Sequence, residues 1–138
     1  MKLIDKIRKE LKKRGLDSNN MDIIRSSKNP DTAILYFNIP SEVGTLKELF
    51  LFSKTDNEFS IVSIKKRYIK KFDELKLYKL LNELNSTYDL MKFEYCEDTN
   101  TVVVKFYPLG IYNYKAIVDS SVNLIKCAEK ELYKFDIC

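Results

Sequence analysis

Residues 77–108, LYKLLNELNSTYDLMKFEYCEDTNTVVVKFYP, constrain the fold more than any other stretch of the chain. Leucines at helical spacing run as far as Leu84 and Asn85. Two segments with a two-residue alternation follow, separated by Glu97-Asp-Thr-Asn100. A switch from helical to two-residue periodicity over so short a distance predicts an amphipathic helix leading directly into a β-hairpin. A hairpin makes its strands antiparallel. A helix of this length cannot bury its own apolar stripe and must lie on a sheet or on other helices.

The rest of the chain extends the pattern. Ile4, Ile7 and Leu11, widened by Leu3, predict a first helix over residues 2–14, with Gly15 placed for a left-handed C-terminal cap. Asp17-Ser-Asn-Asn20 reads as a loop and Met21–Arg25 as a candidate short strand. Lys28-Asn-Pro-Asp31 is a turn, Ala33–Ile39 is a strand ended by Pro40, and 46–53 pairs with 59–65 through Lys54-Thr-Asp-Asn57. LKELF inside 46–53 is also compatible with a helical turn. A second helix is expected over 71–86, with an apolar face of Phe72, Leu75, Leu80, Leu81 and Leu84 beside Leu77 and Tyr78. Asn82 and Asn85 suit its C-terminal cap. Strands 90–96 and 101–107 form the hairpin. Pro108 and Gly110 mark the break before a last helix over 112–134, where Ile111, Tyr114, Val118, Ser121, Ile125, Ala128, Leu132 and Phe135 step by three and four.

These elements predict a single domain over residues 1–138 of α+β class. It has an antiparallel sheet of about five strands, with helices packed on one face, in the order α-β-β-β-α-β-β-α. A chain of 138 residues is long enough to fold without a metal or disulfide.

Leu80-Leu-Asn-Glu-Leu-Asn85, Lys92-Phe-Glu-Tyr95 and Val102-Val-Val-Lys-Phe106, in this order and with a turn between the last two, resemble the YbjN family of bacterial proteins. The resemblance covers roughly residues 70–135 and extends to the first half in element order only. That family shares its general fold with type III secretion chaperones. The resemblance implies a helix–sheet sandwich, homodimerisation and a non-catalytic binding or regulatory role. It assigns no functional residues.

Composition narrows the chemistry. The chain has no histidine and three isolated glycines, Gly15, Gly44 and Gly110. Serine or cysteine triads lose their usual base, and no phosphate-cradling loop can be built. Cys96, Cys127 and Cys138 form no CxxC pair, so no zinc knuckle or redox motif is present, and reduced thiols in a cytoplasmic protein are expected. Glu94, Glu97 and Asp98 read as solvated charges on and beside a turn, not as a cation loop. No catalytic residue, metal site or cofactor is expected. The N-terminal segment is charged throughout and lacks the apolar core of a secretory signal. No apolar run approaches the length of a membrane span.

Two surfaces remain as candidates. Leu35, Phe37 and Ile39 alternate against Ile34 and Tyr36, 49–52 is apolar on both faces, and Val62 and Ile64 oppose Phe59 and Ile61. Three helices can cover one face, so Tyr36, Phe59, Ile61, Val103 and Tyr107 are expected to line a dimer interface or a client-peptide surface. The alternative is that the first helix or the 40–46 segment covers that face within the monomer.

The second surface is electrostatic. Net charge is +4, yet residues 1–15 and 65–71 together carry +10, leaving the remainder mildly acidic. Lys65, Lys66, Arg67, Lys70 and Lys71 are candidate anion-binding residues, although Lys70 and Lys71 would open the second helix against its dipole. The favoured function is a protein- or peptide-binding module, homodimeric and cytoplasmic. The second reading is a small nucleic-acid-associated regulator using basic segments 2–14 and 65–71.

Overall fold

The computed structural model describes residues 1–16, 20–107 and 113–138. Residues 17–19 of the loop read at 17–20, the break at Pro108 and Gly110, and Ile111 lie outside them. Among the described residues the order is α1 (Leu3–Lys13), β1 (Asp22–Arg25), β2 (Ala33–Ser41), β3 (Gly44–Ser53), β4 (Glu58–Arg67), α2 (Glu74–Thr87), β5 (Met91–Cys96), β6 (Thr101–Phe106) and α3 (Tyr114–Glu131). A final 3₁₀ helix follows over Leu132–Ile137.

The six strands form one sheet in the order β1-β2-β3-β4-β6-β5, with every neighbouring pair antiparallel. The α+β class and the layering agree with the sequence pattern. The strand count rises to six because the short Asp22–Arg25 segment pairs with the first half of β2 as an edge. Residues 46–53 are strand throughout, extended back to Gly44. Strand β2 runs past Pro40, which is tolerated because β1 pairs only as far as Tyr36 and leaves the Pro40 end on an edge. Gly44, at φ +104, closes the tight Ser41–Gly44 hairpin.

One apolar core joins the sheet to its helices. Leu35, Phe37, Leu46, Phe50, Val62, Ile64, Phe93, Val102 and Val104 meet Ile4, Ile7 and Leu11 of α1, Leu77, Leu81 and Leu84 of α2, and Ile117, Val118, Leu124 and Ala128 of α3. Helix α1 packs on α3, so it does not cross to the other side of the sheet.

Helix α2 begins later than the sequence suggests. Asp73 caps it, its carboxylate accepting from the Lys76 N–H at 3.1 Å, and Glu74 follows in the first turn where an acidic side chain suits the dipole. Lys70 and Lys71 therefore precede the helix instead of opposing its dipole. The buried stripe is Leu77, Leu81 and Leu84, while Leu75 points outward at 81% exposure. Asn113 caps α3 in the same way, accepting from the Lys115 N–H at 2.8 Å.

Candidate functional site

The face of the sheet away from the helices can be read row by row from the strand register. One end is aliphatic: Ile24, Ile34, Leu51 and Ile61 are adjacent across β1 to β4. The next row holds Asp22, Tyr36, Leu49, Ser63, Lys105 and Lys92. A third holds Asn38, Lys47, Lys65, Val103 and Glu94. The far end brings Arg67, Thr101 and Cys96 into line. The face thus changes from aliphatic to basic along the strand direction, over ~20 Å at about 3.4 Å per residue.

The aliphatic end is not part of the core. Ile34, Tyr36, Leu49, Leu51 and Ile61 are partly exposed and stand outside the apolar cluster, and Ile24 is 53% exposed. Side chains projecting from neighbouring strands shield one another laterally, so partial exposure is what an uncovered pleated face shows. Tyr107, just beyond β6, is 51% exposed. Of the expected interface residues, Tyr36, Ile61 and Tyr107 therefore lie on exposed surface.

Phe59 does not. The β3–β4 register shifts between Leu51 and Phe52, so that Leu51 faces Ile61 while Phe52 faces Phe59. The extra residue, Ser60, is bulged, and the interruption turns Phe59 toward the helices. Its ring packs 6.1 Å from Phe50 and 5.9 Å from Phe52, between centroids. Alternation counted from the sequence alone puts it on the wrong face. Val103 keeps the expected face but is only 5% exposed. Lys65 and Glu94 flank it, and Glu94 is held by Lys105 at 2.7 Å. Long charged side chains lying over a small apolar one bury it without any covering element.

The basic segment 65–71 is divided by the same pleat. Lys65 and Arg67 project onto the open face and are exposed. Lys66 projects the other way, with Nζ 4.6 Å from the Tyr68 ring centroid and 3.7 Å from Asp136. Lys70 donates to the Asp136 carbonyl at 2.7 Å, placing its charge at the carbonyl end of the C-terminal 3₁₀ helix. Lys66 and Lys70 thus anchor the C-terminal turn and are not free for an anion. Lys71 is exposed, beside a depression of about 910 Å³ that Ile69, Phe72, Tyr78 and Tyr95 help to line.

Sequence reasoning missed Lys47. It stands next to Lys65 in register, with Nζ 5.3 Å from the Tyr36 ring centroid. Together with Arg67, Lys47 and Lys65 line a depression of about 470 Å³ to which Asn38, Thr45, Thr101 and Asp98 also contribute. Residues 47 and 65 are far apart in the chain, so only strand pairing reveals the cluster.

Several polar groups lie buried on the helix side. Glu48 is fully buried under α3, where the Ser121 hydroxyl donates to its Oε1, and burial lifts its carboxyl to about 8. Glu131 accepts from the Tyr88 hydroxyl at 2.8 Å and pairs with Lys134 at 2.7 Å. Cys127 is buried, and burial raises its thiol. Cys96 is exposed, and a hydrogen bond from Thr99 lowers its thiol. Among the described residues no group of three or more histidine, cysteine, aspartate or glutamate side chains is placed to hold a metal ion, and no helix is long and apolar enough to cross a membrane. No family model, curated protein or solved structure matches this chain.

Proposed function

We propose that the chain is a non-catalytic, cytoplasmic protein-binding module of the YbjN-like, secretion-chaperone-like type, with a regulatory role. It recognises an extended apolar segment of a client on the open face of its sheet. The observation that carries this reading is the aliphatic row Ile24–Ile34–Leu51–Ile61, partly exposed and separate from the core. Contiguous apolar surface of this kind favours a protein partner. Without a client, a second copy covers the same row as a homodimer. A two-fold axis lying along the row sends the two basic ends in opposite directions, whereas one parallel to the strands sets them against each other, so repulsion selects the first.

Light scattering over a concentration series tests this. The expected result is a dimer mass that falls to the monomer value in Leu51→Lys and Ile61→Lys variants, whose melting temperatures stay close to that of the parent chain. A parent chain that remains monomeric at high concentration and binds no apolar dye overturns the proposal.

A second reading, nucleic-acid contact, draws support from the cationic cluster of Lys47, Lys65 and Arg67. Retention on heparin that yields only to high salt favours it.

A further inference from the structure

Resting on that reading, we propose that the client segment is bipartite: an apolar residue occupies the aliphatic row, and acidic residues a few positions along the same segment occupy the depression between Lys47, Lys65 and Arg67. The charge of the site is the first argument. Among the described residues none of these three cations makes an ion pair, whereas the neighbouring Lys105 is already matched by Glu94. Asp98 contributes one carboxylate to the lining, which leaves the depression net positive. The Thr45 hydroxyl and the Asn38 amide line it with neutral donors, which suit a carboxylate already neutralised by Lys and Arg, while the Thr101 hydroxyl already donates to the Thr99 carbonyl at 3.1 Å.

Geometry supplies the second argument. Ile61 and Arg67 lie on one strand, six positions apart and on the same face, so the two zones are separated by ~20 Å. A client in extended conformation spans that distance with about six residues, presenting alternate side chains to the sheet. Such a client runs along the strands, crosses the aliphatic row with one apolar side chain, and sets acidic side chains at every second position over Lys65 and Arg67, four and six positions further on. The observations favour this occupant over nucleic acid. The far end of the face is aliphatic and offers no platform for stacking a base, and the Tyr36 ring in the row between is already engaged by Lys47.

The test uses two labelled synthetic peptides, Leu-Ser-Leu-Ser-Leu-Ser-Glu-Ser-Glu-Ser-Glu-Ser and its counterpart with glutamine at each glutamate. Fluorescence anisotropy is followed on the full chain. The glutamate peptide is expected to bind roughly tenfold more tightly, the scale of two or three exposed ion pairs, with the gap closing as salt is added. The Lys65→Gln/Arg67→Gln variant is expected to bind both peptides equally. Both positions are exposed, and a thermal melt checks that the variant is folded. Equal binding of the two peptides to the parent chain overturns the bipartite client while leaving apolar recognition in place. Failure of both peptides to bind overturns the two proposals together. Tighter binding of oligothymidylate than of the glutamate peptide, lost in the same variant, replaces the acidic client with nucleic acid.

Discussion

The side-chain amide of Asn85, near the end of α2, makes both hydrogen bonds that a neighbouring strand would make to Phe93 of β5. Its Nδ2 donates to the Phe93 carbonyl at 2.9 Å, and its Oδ1 accepts from the Phe93 N–H at 2.7 Å. β5 is an edge of the sheet, and an open edge invites pairing with other chains. Asn85 occupies that edge instead of capping its own helix, which ends at Thr87 with Tyr88 as its C-cap. Asn85→Ala is expected to lower stability by about 1–3 kcal/mol, because two backbone groups lose their partner, and to increase aggregation on heating. Asn85→Asp keeps the acceptor but sets a carboxylate against the Phe93 carbonyl, so it should not rescue. Urea unfolding with light scattering on the same samples measures both effects.

Asn100 ties the turn of the β5–β6 hairpin to the segment entering α2. Its Nδ2 donates to the Tyr68 carbonyl at 2.9 Å and the Lys70 carbonyl at 2.7 Å, while its Oδ1 accepts from the Tyr95 hydroxyl at 2.5 Å. The residue also sits at φ +52. Asn100→Gly and Asn100→Ala lose the same three bonds, but alanine additionally bears the left-handed backbone cost of about 1 kcal/mol. Both variants should be destabilised, alanine more so by roughly that amount. Equal melting temperatures for the two would contradict the backbone argument.

Features that depend on local periodicity were legible in the sequence, and features that depend on pairing were not. Ile4, Ile7 and Leu11 lie on one helical stripe and are buried, and the alternation of 101–106 placed Val102, Val104 and Phe106 on the core side. Phe59 was misplaced because the bulge at Ser60 is a relation between two strands and leaves no mark in the spacing of either one. Leu75 was assigned to the buried face of α2 because the stripe was counted from residue 71, before the Asp73 cap fixes its phase. KKRYIKK looked like one basic surface. A strand sends alternate side chains to opposite faces, and the C-terminal turn that takes up Lys66 and Lys70 comes from the far end of the chain.

The β3–β4 connection runs through three consecutive left-handed residues, Lys54, Thr55 and Asp56, at φ +48, +55 and +73. Asp56 holds it in place. The Arg25 guanidinium clasps its carboxylate, Lys2 lies 3.8 Å away, and its carbonyl accepts from the Ile4 N–H at 3.2 Å. Asp56→Ala strips Arg25 and Lys2 of their shared partner and should cost about 1–3 kcal/mol. Lys54→Gly should instead stabilise by somewhat under 1 kcal/mol, because glycine accepts a left-handed backbone freely and the exposed Lys54–Glu58 pair contributes little. Opposite shifts of the two urea midpoints are the expected outcome.

Glu48 gives the fold a dependence on pH of unusual sign. Its carboxyl is buried between sheet and α3, with Phe37 and Ile64 beside it in register. Ser121 reaches one oxygen, and the other has no hydrogen-bond partner among the described residues. Burial raises its pKa from an ordinary value near 4.5 to about 8. Between those values the native protein holds a proton that the unfolded chain releases, so stability falls as pH rises through that window, by up to about 1.4 kcal/mol per pH unit. Above it both states are ionised and this contribution levels off. Asp56 acts in the opposite sense at lower pH: its hydrogen bonds to Arg25 hold its carboxyl below the usual range, so its contribution is present above the ordinary carboxylate pKa and lost on acidification. Glu48→Gln keeps an acceptor for Ser121 and removes the titration. Its urea midpoint should match that of the parent chain near pH 4.5 and exceed it by a widening margin toward pH 8. Parallel stability profiles for the two proteins across that range would show that Glu48 does not hold a proton in the fold.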